Sequence, residues 1–142
     1  MSRDDSGLAE LFGTHGLGVL ATIKRDGLPQ LSNVLYSYDG DARVASVSIT
    51  DTRAKTRNLR RDPRASLYVT TADRWAYAVA EGSAELTPVT VDPQDATAEA
   101  LVQLYRTANG EHPDWAEFRA AMVDEQRLVL RLHVQRFYGN AS

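Results

Sequence analysis

The chain has 142 residues, 43% of them hydrophobic and 25% charged, the balance of one soluble globular domain with a core of its own. Its net charge of −3 argues against bulk nucleic-acid affinity, and the lack of cysteine excludes disulfides, thiolate metal sites and cysteine nucleophiles while fitting a reducing cytoplasm. No apolar run reaches membrane-spanning length, and the acidic start MSRDDSGLAELF lacks the long apolar centre of a signal peptide.

Leu8, Leu11 and Phe12 at helical spacing predict a short amphipathic helix over Asp4–Thr14, ended by Gly13 and Gly16. Leu17, Val19, Ala21 and Ile23 then alternate as a strand does. Arg25-Asp26-Gly27 reads as a hairpin turn, because Asp-Gly tolerates the positive φ that tight hairpins need. The return strand, Leu28–Tyr38, puts Gln30, Ser32, Val34 and Tyr36 on one face and Leu31, Asn33 and Leu35 on the other. A turn at Asp39-Gly40-Asp41 leads into a third strand, Arg43–Ile49.

Val47–Arg64 is the most unusual stretch. Six of the sixteen basic residues (Arg53, Lys55, Arg57, Arg60, Arg61, Arg64) fall within twelve positions, with only Asp62 among them. Ser48, Thr50, Asp51 and Thr52 are helix-capping types, and Asp62-Pro63 stops a helix, so the spacing predicts a helix of about three turns. A helix start presents free N–H groups to an anion, and Arg53 and Lys55 beside it add charge-assisted hydrogen bonds of roughly 1.5–3 kcal/mol each. Locality on an acidic protein favours a small anionic ligand over a polyanion. The competing reading is a solvated basic face.

Ala65–Thr71 and Trp75–Leu86 form a further antiparallel pair. In its second strand Ala76, Ala78, Ala80, Gly82 and Ala84 share a face, which suggests close backbone approach. Trp75 and Tyr77 lie on the opposite face. Asp92-Pro93 predicts a helix start with Thr97, Ala100, Leu101, Leu104 and Tyr105 as its buried stripe, ended at Asn109-Gly110. Asp114 with Glu117 opens a second helix carrying Trp115, Phe118 and Met122. The last strand, Gln126–Tyr138, points Leu128, Leu130, Leu132 and Val134 inward. Six strands joined mostly by hairpins predict a small antiparallel β-barrel with peripheral helices. His15, His112 and His133 make no metal-binding spacing, and no dinucleotide, P-loop or nucleophile-elbow motif occurs.

SITDTRAKTRNLRRDPRAS closely resembles the phosphate-binding segment of the flavin/deazaflavin split-barrel oxidoreductases, the pyridoxamine-phosphate-oxidase-like superfamily. Within it the chain looks most like the actinobacterial branch that uses coenzyme F420. GVLATIKRDGLPQLSNV, WAYAVAEGSAELTP and LYRTANGEHPDW extend the likeness over nearly the whole chain. The resemblance implies a mostly β fold, a split β-barrel of the FMN-binding kind with short flanking helices, as one domain over residues 1–142. It also implies a homodimer with the cofactor in a cleft between subunits, and neither nucleic-acid nor membrane partners are expected.

Carried over residue by residue, it places the cofactor phosphate at Ser48, Arg53, Lys55 and Thr56, with Asn58 nearby and Ile49 as a further cofactor-binding residue. Pro29, Gln30, Ser32 and Asn33 would lie along the ring, and Trp75 and Tyr77 would wall the pocket from the partner subunit. Arg60, with Arg57, Arg61 and Arg64, would attract the anionic oligoglutamate tail of F420, which FMN lacks. The non-functional alternatives are that Thr56 and Asn58 are helix-surface residues and that Trp75 and Tyr77 serve core or dimer interface. The implied activity is hydride donation from reduced F420 to an electron-poor double bond of a small organic substrate. An FMN enzyme of the same fold, or a non-catalytic F420 carrier, are the alternatives. Hydride chemistry on a cofactor needs no catalytic triad, and no catalytic residue is singled out.

Overall fold

The computed structural model describes residues 5–14 and 16–141. His15, and the Asp4 start expected for the first helix, lie outside the described residues. The elements run α1 (Ser6–Thr14), β1 (Leu17–Ile23), β2 (Pro29–Asp39), β3 (Val44–Thr50), α2 (Ala54–Arg61), β4 (Arg64–Thr70), β5 (Tyr77–Leu86), α3 (Ala96–Asn109), α4 (Trp115–Asp124) and β6 (Arg127–Asn140). The six strands form a closed antiparallel barrel in the order β1-β2-β3-β6-β5-β4. No helix among the described residues is long and apolar enough to cross a membrane.

Alternation decides what fills the barrel. Val34 and Tyr36 of β2, Ala45, Val47 and Ile49 of β3, and Leu128, Leu130 and Leu132 of β6 are all buried in one core. The small residues of β5 do mark a close approach. A Cβ on Gly82 would meet the His133 carbonyl oxygen at 2.0 Å, beside the bulge where Gln135 is an extra residue in β6. That bulge shifts the parity of β6, so Phe137 returns to the core after Val134.

Helix α1 caps one end of the barrel with Leu8 and Phe12. The Phe12 ring lies 4.8 Å from Tyr36, 5.0 Å from Tyr38 and 5.5 Å from Phe137. The Tyr36 hydroxyl donates to the Phe12 carbonyl, and burial pushes its pKa above that of an ordinary phenol. A second apolar cluster sits outside the barrel. There Leu101, Leu104 and Phe118 of the α3–α4 pair cover Leu35 and Val129 on the wall.

Three elements differ from the sequence reading. Helix α2 has 8 residues, about two turns, because Ser48 and Thr50 stay in β3 and Asp51 and Thr52 form a turn. Its N-cap position falls to Arg53, which makes no side-chain capping bond. Helix α3 starts at Ala96 and not at Pro93, because Asp95 is the better cap. Its carboxylate accepts from the N–H groups of Ala98, Val91 and Asp92 and from the Thr90 hydroxyl. Trp75 is in the loop before β5, in a turn built on Asp73, and is 79% exposed.

Candidate anion and cofactor site

The outward row of β3 carries Ser48 and Thr50, and β6 brings Arg127 directly opposite Thr50. The start of α2 adds Arg53 and Lys55. These groups form the polar end of a pocket of about 430 Å³ between the barrel wall and the α3–α4 pair, a size typical of small-molecule sites. Asn33 of β2 contributes an amide, and Leu101, Leu104, Tyr105, Phe118 and Met122 make the apolar end. No carboxylate lines it.

The charges here are unbalanced. Lys55 is held below its ordinary ammonium pKa, first by burial and then by the positive charges of Arg53 and Arg127. Arg127 is steered into place by Glu125 at 3.0 Å and donates to Ser48 Oγ at 3.4 Å. Arg53 makes no side-chain bond among the described residues. Three cations and two hydroxyls face a common space, and only Arg127 has a carboxylate partner, Glu125, so the remaining positive charge suits a phosphate. The donor set therefore fits the phosphate of a flavin or deazaflavin, and Asn33 offers a donor and an acceptor toward the ring.

Across α2 lies a second concavity of about 690 Å³, lined by Lys24, Arg25, Arg57, Arg60 and Arg61 with the amides of Gln30 and Asn58. It too has no acidic lining. Several of these cations are tied within the chain. Arg60 pairs with Asp51 at 2.6 Å, Arg57 donates to the Thr52 carbonyl and Arg61 to the Ile23 carbonyl, each at 2.7 Å. Arg64 turns away to Asp62 at 2.7 Å.

The structure divides the residues named from sequence. Ser48, Arg53, Lys55 and Asn33 meet in the 430 Å³ pocket. Ile49 belongs to the barrel core, so only its backbone is available to a ligand. Thr56 and Asn58 are buried and not helix-surface residues. Thr56 donates to the Thr50 carbonyl at 2.7 Å, and Asn58 Nδ2 donates to Thr22 Oγ1 and Gln30 Oε1 at 3.1 and 2.9 Å. Both fasten α2 over the barrel mouth.

Gln30 and Ser32 point inward at that mouth, where Ser32 Oγ is enclosed without a partner among the described residues, and Pro29 lies against a separate cleft with Arg64 and Arg136. The four residues expected along one ring surface thus occupy both faces of β2. Trp75 and Tyr77 line none of these pockets. Tyr77 stacks near Tyr68 at 5.8 Å on the outer wall.

Arg127 and the apolar wall from α3 and α4 escaped the sequence reading, and Thr50 entered it only as one of the hydroxyls ahead of the helix. The signal was weak: Arg127 sits at the start of a strand 77 positions from Thr50, and only the β3–β6 register brings them together.

The profile of the pyridoxamine 5'-phosphate oxidase family matches residues 6–141, and the chain belongs to that family. Among solved structures it is similar to a conserved hypothetical protein from Mycobacterium tuberculosis (TM-score 0.73, 23% identity, 99% of this chain and 86% of that one). It is also similar to a protein named F420 reductase (TM-score 0.67, 23% identity, 97% of this chain and 98% of that one). A third is an FAD-binding protein from Mesorhizobium loti (TM-score 0.65, 17% identity, 96% of this chain and 92% of that one). At these identities the likeness carries the fold.

Proposed function

We propose that the protein is an oxidoreductase that uses reduced coenzyme F420 as hydride donor to an electron-poor double bond of a small organic substrate. The observation that carries this reading is the half-buried Lys55, set against Arg53 and Arg127 in a pocket without a carboxylate. In the bound state Ser48, Thr50, Arg53, Lys55 and Arg127 would hold the phosphate, Asn33 would orient the ring, and the α3–α4 side chains would keep water from it. The cofactor supplies the hydride chemistry, as cofactors do for reactions that side chains cannot perform. The five cations on the far side of α2 favour F420 over FMN, because they offer a place for a polycarboxylate tail that FMN does not possess.

The reading includes a homodimer. Leu31 (63% exposed), Tyr68, Trp75 and Tyr138 leave aromatic and aliphatic surface on the outer wall, and a second copy set there would bring Trp75 and Tyr77 toward its partner's pocket. FMN remains the second reading, supported by the likeness to a FAD-binding protein and by a phosphate end that suits either cofactor.

The test is equilibrium binding of F420 and FMN to one cofactor-free preparation, followed by single-turnover oxidation of bound reduced F420 with a panel of activated enones and quinones. Tight F420 binding with turnover supports the reading. Preference for FMN moves the protein to the second reading, and F420 binding without turnover makes it a carrier.

A further inference from the structure

The row of hydroxyls and arginines at the polar end of the 430 Å³ pocket is repeated beside it. On the outer face of the barrel, Ser46 lies two residues before Ser48 on β3, and Arg131 lies four residues after Arg127 on β6. Cross-strand register aligns Ser37 with Ser46 and Ser46 with Arg131, about 4.8 Å per strand. Helix α3 covers this row with Gln103 and Thr107, leaving a cleft of about 310 Å³. Leu104 lines both spaces and forms the wall between them.

Arg131 makes no ion pair or side-chain hydrogen bond among the described residues. Its cross-strand neighbour Glu85 is engaged with His133 at 3.2 Å and makes no ion pair with it. The hydroxyls of Ser37 and Ser46 also have no partner among the described residues. No carboxylate lines the cleft. A half-buried arginine with two hydroxyls in line can direct three side chains' donors at one oxyanion, while the Gln103 amide opposite is already spent on Glu99 Oε1 at 3.1 Å.

We propose that this cleft is a second, smaller anion site, distinct from the cofactor pocket, which takes the carboxylate or phosphate group of a small acid. Arg131 holds the oxyanion and Ser37 and Ser46 orient it. Ala100, Leu104 and Val129 restrict the rest of the ligand to a short apolar body.

The experiment is a titration of the full-length chain with inorganic phosphate and, separately, with succinate, followed by backbone amide shifts. Saturable shifts at Ser37, Ser46 and Arg131 are expected, separate from those at Thr50 and Lys55. Arg131→Gln should weaken the first set at least tenfold and leave the second unchanged, and Lys55→Met should do the reverse. Saturation by phosphate alone assigns a phosphate ester, and saturation by succinate alone assigns a carboxylic acid. Should Arg131→Gln fold poorly, Ser46→Ala is expected to weaken the same set severalfold. Absence of saturable shifts at this row with either probe, or shifts that survive Arg131→Gln, would overturn the proposal. Failure at Lys55 alone would refute the cofactor-phosphate reading and leave this one standing.

Discussion

Lys55→Met separates the two roles that a cation can have in such a pocket. Methionine keeps most of the apolar stem and removes the charge. In the unliganded chain that charge is repelled by Arg53 and Arg127 and partly desolvated, so its loss should leave the melting temperature unchanged or raised. In the liganded chain the same charge neutralises the phosphate. One charge-assisted hydrogen bond is worth about 1.5–3 kcal/mol, so the dissociation constant for F420 or FMN should rise about 10- to 150-fold. The pH dependence gives an independent check. The folded-state pKa of Lys55 lies below its ordinary 10.5, so the unfolded chain holds the proton more tightly. Stability of the unliganded chain therefore rises with pH between the depressed value and 10.5. A bound phosphate draws the proton back, so binding takes up protons and weakens as pH climbs through that window. Calorimetry in buffers of different ionisation enthalpy measures the uptake, which the variant should lack. Wild-type affinity in Lys55→Met, or a melting point lowered as by a core deletion, would refute the reasoning.

Asn58→Ala should cost about 1–3 kcal/mol in urea denaturation, because it strips Thr22 and Gln30 of partners at the barrel mouth. Gly82→Ala places a methyl where the His133 carbonyl stands and should cost about 3 kcal/mol or more, read as a collapsed thermal transition. Asp95 has burial pushing its pKa up, but hydrogen bonds from Ala98, Val91, Thr90 and Asp92 outweigh it and hold the value at about 2. Its folded pKa is thus below the unfolded value near 3.8, so the stabilisation is full above that pH and lost as pH falls toward 2. Asp95→Ala should lower stability by about 1 kcal/mol at pH 7 and by little near pH 2, checked by urea midpoints across pH. Light scattering across a concentration series tests the proposed homodimer: a dimeric wild type that Tyr68→Glu turns monomeric supports the outer-wall contact, a dimer that survives the change refutes that contact, and a monomeric wild type refutes the dimer.

Much of the fold was written locally. Period-two alternation in Leu128–Val134, the Asp26-Gly27 turn and the Asp114–Glu117 cap act within a few residues, so the sequence by itself determined most of the strands, the inward row of β6 up to its bulge, and the family. In β1 alternation marked a strand but not its core face, because the barrel buries Leu20 and Thr22 and leaves Leu17 71% exposed. The cationic character of Arg53 and Lys55 was legible for the same reason. Tertiary structure decided the rest. Thr56 and Asn58 look like polar surface on a basic helix until the barrel mouth supplies Thr50, Thr22 and Gln30 as partners and draws them inside. Alternation already set Gln30 and Asn33 on opposite faces, but only the packing of α2 over one face and of α3–α4 over the other decided which space each serves. Arg127 enters the site only through the pairing of β3 with β6. Such pairings join segments dozens of residues apart, and their register is set by closure of the whole barrel, which no local pattern encodes.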